Sequence, residues 1–301
     1  MRLAVTGATG FVGGRLSRLA VAEGHQLRAL TRRPRQDERG IDWIHGTLDE
    51  REPLRRLVEG VDAIIHVAGV VKAFDRATYE AGNVTGTLHL LANATAGGVH
   101  RFVHVSSLAA REPQLSLYGA SKAKAERLVM DSGLDWAIVR PPAVYGPGDG
   151  EMLDLFKAAR TGVVPLPPAG RLSIIQVDDL ASLLLALAAP DAPRRVLYEP
   201  DDGHGGGYTY KQFAQAIGAA VERRPICVSV PAPLLRTGAR IDRLLRRGNA
   251  KLTADRAAYF CHPDWTSDPA KAPPADLWHP SVGSSDGLAA TARWYQEQGW
   301  L

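Results

Sequence analysis

Residues 6–13 read Thr-Gly-Ala-Thr-Gly-Phe-Val-Gly. They follow a short apolar run, Leu3–Thr6, and open a stretch of helical spacing, Phe11–Glu23. No other segment restricts the fold as much. Glycines at 7, 10 and 13 permit a tight turn, a close backbone approach and a strand–helix contact without side chains in the way. A strand that enters a helix through such a turn aims backbone N–H groups, and the positive end of the helix dipole, at a phosphate. Three glycines alone are a weak signal, and a plain glycine turn is the alternative. At the first turn of a βαβ unit the signal is much stronger.

The rest of the first half keeps that rhythm. Gln26–Thr31, Asp42–His45, Ala63–Val67, Arg101–Ser106 and Trp136–Arg140 read as buried strands, and Phe11–Glu23, Asp49–Glu59 and Tyr118–Asp131 as helices. The alternation predicts an α/β fold: a doubly wound parallel Rossmann sheet with a smaller, mainly helical C-terminal lobe for substrate. The 301 residues exceed what one core usually holds. The expected division is 1–145 for the nucleotide sheet, with 171–200 returning to it, and 146–170 plus 201–301 for the lobe. Ile174–Val177 and Arg195–Glu199 read as strands there. Asp178–Ala189, Tyr210–Val221, Leu234–Arg247, Thr253–Phe260 and Asp286–Gln298 read as helices.

Composition removes several classes. Two cysteines, Cys227 and Cys261, make no disulfide framework and suit a reducing cytoplasm. The longest apolar stretch, Leu183–Ala189, is far too short to span a bilayer. The first residues read as a strand and not as a signal peptide. A net charge of +4 does not by itself indicate nucleic acid. His66, His100 and His104 lack metal-ligand spacing, so no metal site is expected.

Two further segments carry chemistry. After the second strand the chain reads Thr31-Arg32-Arg33-Pro34-Arg35, with no acid to accept from a ribose hydroxyl. Guanidinium groups suit a 2′-phosphate by charge and by bidentate geometry. The expected cofactor is therefore NADP(H), with Arg32 and Arg33 as clamps; a solvated basic turn is the alternative. In Tyr118-Gly-Ala-Ser-Lys122, the tyrosine and lysine share one helix face. A lysine ammonium nearby is expected to lower the phenol's pKa and fit it for acid–base work. Ser106 and Ser107 close a strand at the sheet edge where such folds place ligands.

With these pieces on the page, the chain resembles the extended, epimerase/dehydratase-like branch of the short-chain dehydrogenase/reductase superfamily. The matching segments, in family order, are 6–13, His66-Val-Ala-Gly69, Asn83-Val-Thr-Gly-Thr87, Val105-Ser-Ser107, 118–122, Arg140–Asp149 and Val177-Asp-Asp-Leu-Ala181. The resemblance implies that Tyr118 exchanges the proton, that Lys122 tunes it and touches ribose, and that Ser107 orients the substrate oxygen. It implies cofactor contacts at Gly7, Thr9, Gly10, Phe11, Val12, Gly13, Leu48, Val67, Ala68, Gly69 and Val105, and nicotinamide neighbours at Pro141, Ala143 and Val144. Asn83 would support the strand geometry beneath. Thr47 stands where the family often has an acid. Leu108 and Ala109 stand where sugar dehydratases tend to carry an Asp-Glu pair, which argues against water elimination.

The expected activity is NADPH-dependent reduction of a ketone on a bulky, partly apolar substrate: an oxo-lipid such as a 3-oxo-ceramide, a steroid or a flavonoid. The alternatives are an NDP-sugar 4-epimerase or reductase with retained NAD(P), and a non-catalytic NADP-sensing subunit. The resemblance adds a homodimer by analogy. Within Leu234–Arg247, Arg236, Arg240, Arg243 and Arg247 form one stripe if the segment is helical. Such a helix either packs on the lobe with solvated arginines or rests peripherally on the inner face of a membrane.

Overall fold

The computed structural model describes residues 1–36, 38–235, 237–238, 242 and 254–301. The arginine stripe at 236, 240, 243 and 247 lies outside the described residues. Two compact units emerge. One comprises Met1–Pro141, Asp178–Pro200 and Lys271–His279; the other comprises Pro142–Val177, Asp201–Ala270 and Pro280–Leu301. The segment expected to return to the first sheet was 171–200; in the structure 171–177 belong to the second unit and 178–200 to the first.

The first unit is built on seven parallel strands. In chain order they are β1 (Arg2–Thr6), β2 (Gln26–Thr31), β3 (Ile41–His45), β4 (Ala63–His66), β5 (Arg101–Val105), β6 (Asp135–Val139) and a later strand, Val196–Tyr198. Their order across the sheet is Val196–Tyr198, β6, β5, β4, β1, β2, β3. The strand order therefore reverses between β1 and β4, the crevice where doubly wound folds take ligands. Every residue of β4 and β5 is buried. That is what a parallel sheet covered on both faces demands, and it explains their unbroken apolar runs.

Helices α1 (Phe11–Ala22), α2 (Arg51–Val58), α3 (Arg76–Tyr79), α4 (Gly86–Ala96) and α5 (Leu117–Met130) connect the strands. Leu54, Leu57, Leu90, Leu91, Ala94 and Val129 from the helices pack on Ala4, Ile44, Ile64, Phe102 and Ile138 from the strands. Each fully buried leucine contributes roughly 1.5–3 kcal/mol of hydrophobic stabilisation. Between α3 and α4 the chain makes one π-helical turn, Glu80–Thr85. Serine or threonine side chains do not cap α1, whereas the Ser116 hydroxyl caps α5 by accepting from Gly119 N at 2.9 Å.

The second unit holds small sheets and helices. Ala143–Tyr145 pairs in parallel with Ile174–Gln176. Val163–Leu166 pairs in parallel with Ile226–Ser229. The helices Leu153–Thr161, Tyr210–Ala220 and Ser284–Glu297 surround a core in which Tyr145, Phe156 and Tyr295 are fully buried. Gly287 of the last helix lies against Tyr145; a Cβ there would stand 2.6 Å from the phenol oxygen. Several elements depart from the sequence reading. The helical stretch Arg76–Ala96 and the helix Leu153–Thr161 were not expected, and Val163–Leu166 is a strand despite Pro165.

Candidate active site

The glycine turn is a backbone concavity. Gly7 has φ +75, and a Cβ there would stand 2.7 Å from Ala68 N. At Gly13 a Cβ would stand 2.1 Å from the Gly7 carbonyl oxygen, and at Gly10 3.3 Å from the same atom. The turn is closed by Gly10 N donating to Gly7 O at 2.9 Å and Gly14 N to Gly10 O at 2.8 Å. Thr9 is exposed, and Phe11 and Val12 are half-buried at the start of α1. No side chain caps α1, and its first turn holds no acid. Its leading N–H groups therefore suit an anionic ligand.

Neighbouring strand ends are tied to this turn. Thr6 Oγ1 lies 2.7 Å from His66 Nδ1 and accepts from Ala68 N at 3.2 Å. This sets Val67, Ala68 and Gly69 beside it. A Cβ at Gly69 would stand 3.1 Å from Asn83 Oδ1 and 3.2 Å from Lys122 Nζ, so the chain passes close over both. At the end of β2, Thr31 Oγ1 donates to Arg33 O at 2.8 Å, and the Arg32 and Arg33 side chains are exposed. Arg35, which the sequence reading did not single out, lies over the Trp43 ring at 4.7 Å. Leu48 packs on Gly86, where a Cβ would meet Leu48 Cδ1 at 2.8 Å.

Ser107, Tyr118 and Lys122 come together at the carboxyl end of β5. Ser107 begins a 3-10 turn, Leu108–Arg111, and its Oγ accepts from Ala109 N at 3.2 Å. The Ser107 hydroxyl also hydrogen-bonds the Tyr118 phenol. Lys122 is buried and donates from Nζ to the Val105 carbonyl oxygen at 2.8 Å. Burial lowers its pKa from 10.5 to about 8, with Glu126 opposing the fall. The Tyr118 phenol departs from the expectation. Burial raises it from 10.0 to about 12, the Ser107 hydrogen bond opposing and Tyr79 reinforcing the rise. Lys122, whose ammonium donates to Val105 O, brings no lowering that offsets it.

Two supports lie beneath the site: Asn83, which the resemblance implied, and Glu126, which the sequence reading did not single out. Asn83, in the π turn, donates from Nδ2 to Val70 O at 2.9 Å and to Ser121 Oγ at 2.8 Å, and its Oδ1 accepts from Val70 N at 2.6 Å. Single π turns often mark functional positions. Glu126 lies one turn beyond Lys122 and is 3% exposed. Its carboxylate accepts from Ser106 Oγ at 2.5 Å and from Arg140 Nε and Nη2 at 2.8 and 2.6 Å. Arg140 also reaches Glu199, as does Arg111, each at 3.2 Å. One buried carboxylate thus joins the strand end that carries Ser107 to the helix that carries Tyr118 and Lys122.

The remaining expected residues are placed as follows. Pro141 O accepts from Leu108 N at 3.2 Å. Ala143 and Val144 lie on a strand of the second unit. Asp178 of the 177–181 segment pairs with Arg15 of α1. The His66 and His104 rings lie 5.3 Å apart in the interior, tilted by 34°. Burial lowers His66 to about 3 and His104 well below its ordinary value, so both are neutral at physiological pH. Among the described residues no group of three His, Cys, Asp or Glu is arranged to hold a metal, and no helix is long and apolar enough to cross a membrane.

A phenol, a hydroxyl and an ammonium gather at the carboxyl edge of the parallel sheet, in a chain whose family and relatives are oxidoreductases of the short-chain type. The profile of the NAD dependent epimerase/dehydratase family matches residues 3–196, and the chain belongs to that family. Among its relatives, the ceramide reductase of Caulobacter vibrioides (strain NA1000 / CB15N) is 37% identical over 308 residues, covering 99% of this chain and 96% of that protein. The 2-alkyl-3-oxoalkanoate reductase of Stenotrophomonas maltophilia (strain K279a) is 29% identical over 326 residues, covering 96% and 97%. Among solved structures, gox2253 superposes with a TM-score of 0.77 at 24% identity over 100% of this chain and 99% of its own. MoeE5 in complex with UDP-glucose and NAD gives 0.75 at 20%, covering 99% of each. These two share the fold.

Proposed function

We propose that the protein is an NADP(H)-dependent reductase of a ketone on a lipid-like substrate, a 3-oxo-ceramide or a similar long-chain oxo compound. The observation that carries this reading is the end-to-end likeness to a ceramide reductase, joined to a gathered Ser107, Tyr118 and Lys122. The glycine turn fits a dinucleotide, since a Cβ at Gly7 or Gly13 would collide with the backbone at Ala68 or Gly7 and force open the tight, side-chain-free turn that a pyrophosphate needs. Gly7–Gly13 and the α1 N-terminus would hold its pyrophosphate, Leu48 and Val67–Gly69 the adenosine side, Val105 and Lys122 the ribose, and Pro141 the nicotinamide. Arg32 and Arg33, exposed at the end of β2 where an NAD site carries an acid, favour the 2′-phosphate form. When bound, the nicotinamide supplies hydride.

The chain's own residues do the rest. The Ser107 hydroxyl donates a hydrogen bond to the substrate oxygen and fixes the carbonyl. Tyr118 passes its phenolic proton to that oxygen as negative charge develops there. The Lys122 ammonium, once a ribose hydroxyl and the phenol compete with Val105 O for it, stabilises the phenolate left behind. The raised phenol pKa of about 12 keeps the proton in place until substrate arrives. Leu108 and Ala109, both buried and without carboxylates, offer no group for dehydration.

The test is NADPH oxidation by the purified protein with 3-oxo-ceramide, repeated with oxo-steroids, flavonoid ketones and NDP-sugars. Turnover of the oxo-lipid and its loss in Tyr118→Phe, with NADPH binding kept, is the expected result. Wild-type turnover in Tyr118→Phe, or turnover of NDP-sugars alone, overturns the assignment.

A further inference from the structure

The paired strands Val163–Leu166 and Ile226–Ser229 have one covered face and one open face. On the first strand Val164 and Leu166 turn into the core, while Val163 and Pro165 turn out. The parallel register sets Ile226 beside Val163 and Val228 beside Pro165. Ile226 is 67% exposed, Val163 49% and Val228 46%. The chain leaving the second strand runs through exposed Pro231 and Pro233 to Leu234, 62% exposed. Single exposed apolar residues are ordinary on a soluble surface. Four on one two-stranded ladder form a patch, and patches mark contact sites.

The rim of this patch is basic. Because the strands are parallel, both begin at the same end, where Ile226 N donates to Gly162 O at 2.8 Å. Arg160 closes the helix just before the first strand, and Arg223 and Arg224 precede the second; all three are exposed. Glu222 and Asp154 are the exposed acids nearest in sequence. The charge bias extends along the chain. Residues 223–251 carry eight lysines and arginines against a single acid, Asp242, although the whole chain is only +4, so the remainder is net acidic.

We propose that this open sheet face, rimmed by Arg160, Arg223 and Arg224, is a docking surface for an anionic lipid bilayer. Val163, Pro165, Ile226 and Val228 would enter the headgroup–acyl boundary, and the arginines would sit at the level of the phosphates. Apolar burial and cationic attraction reinforce one another at such an interface, and neither suffices alone at this size. The inference goes beyond the reductase reading and does not depend on it, because bilayer binding needs neither cofactor nor turnover. If both hold, a membrane-borne substrate is met where it resides.

The experiment is flotation of the full chain with vesicles of phosphatidylcholine alone and of phosphatidylcholine mixed with phosphatidylglycerol, at low and high salt. Binding is expected only to the anionic vesicles, and salt should weaken it. The variant Ile226→Glu/Val228→Glu should lose roughly tenfold or more of its partitioning, while its unfolding temperature and NADPH affinity stay at wild-type values. Arg223→Gln/Arg224→Gln should lose about tenfold or more as well. Absence of vesicle binding overturns the proposal. So does equal binding by the Glu double variant, which would assign the contact elsewhere. A wild-type dimer that the same variant dissociates, with no lipid binding in either protein, would give the face to a second copy instead.

Discussion

Lys122 should destabilise the cofactor-free protein at neutral pH and cease to do so in alkali. Burial holds its ammonium at about 8 in the fold against an ordinary 10.5. At roughly 1.4 kcal/mol per pH unit that gap is worth about 3 kcal/mol. The sign follows from proton counting. Between about 8 and 10.5 the unfolded chain keeps the lysine proton and the folded chain releases it. Stability therefore rises with pH across that window, and the full penalty applies below it. Lys122→Met removes the charge but also leaves Val105 O without its donor, which costs about 1–3 kcal/mol. At about pH 7 these effects nearly cancel, so the absolute change there is small. Above pH 10.5 only the lost hydrogen bond remains, and the variant falls behind the wild type. Groups that titrate alike in both proteins drop out of the difference. The assay is urea denaturation of both proteins, without cofactor, at several pH values between about 7 and 10.5. The variant-minus-wild-type difference should move by about 3 kcal/mol against the variant as pH rises. A difference that stays constant would mean that Lys122 remains fully charged in the fold, and the reasoning would fail. Turnover should be lost in the variant throughout, because a residue that costs stability here is kept for its chemistry.

Three other outcomes follow from the same geometry. Glu126→Gln leaves Arg140 with one carboxylate fewer in the interior and should cost about 3 kcal/mol, seen as a fall of roughly 5–10 °C in unfolding temperature; a change below about 1 °C would show the clamp to be idle. Gly13→Ala drives a Cβ to 2.1 Å from the Gly7 carbonyl oxygen, so NADPH titration should show affinity lost by a factor of about ten or more; wild-type affinity would remove the turn from the cofactor site. Replacing Arg32 and Arg33 together with alanine should weaken NADPH far more than NADH in the same titration, by about tenfold or more, whereas equal losses would leave both arginines facing water.

The parts of this protein that could be read from its sequence are those whose cause is local. The glycine turn needs residues 7, 10 and 13 for reasons of space that any βα turn shares, and Gly13 against Gly7 O shows that constraint at its tightest. Tyr118 and Lys122 share a helix face by spacing alone, with Ser116 capping the helix in front of them. The stretch Arg76–Ala96 was opaque for the opposite reason. Its Gly82, Asn83, Gly86 and Thr87 are poor helix formers. What holds the π turn is Asn83 reaching back to Val70 and across to Ser121, 38 residues away. Val163–Leu166 carried no strand signal because its Pro165 is a residue that central strands exclude. Its sheet has only two strands, so Pro165 stands at an edge where that rule relaxes.

The phenol pKa shows where reading by motif stops. Tyr-x-x-x-Lys promises an activated tyrosine, yet the folded chain without cofactor has a raised phenol and a lowered lysine. Both shifts have burial as their first cause, and burial is a property of the whole packing. One of the lysine's three N–H donors goes to Val105 O, and Glu126, which favours its charge, is held by Ser106 and Arg140 from two strand ends. Activation is thus not a property of the pair. In the proposed function a dinucleotide ribose is the group that would engage the remaining donors, at the place where a Cβ on Gly69 would stand 3.2 Å from Lys122 Nζ. The proposed reductase reading therefore couples cofactor binding to acid–base competence through Lys122, a coupling that burial alone does not provide.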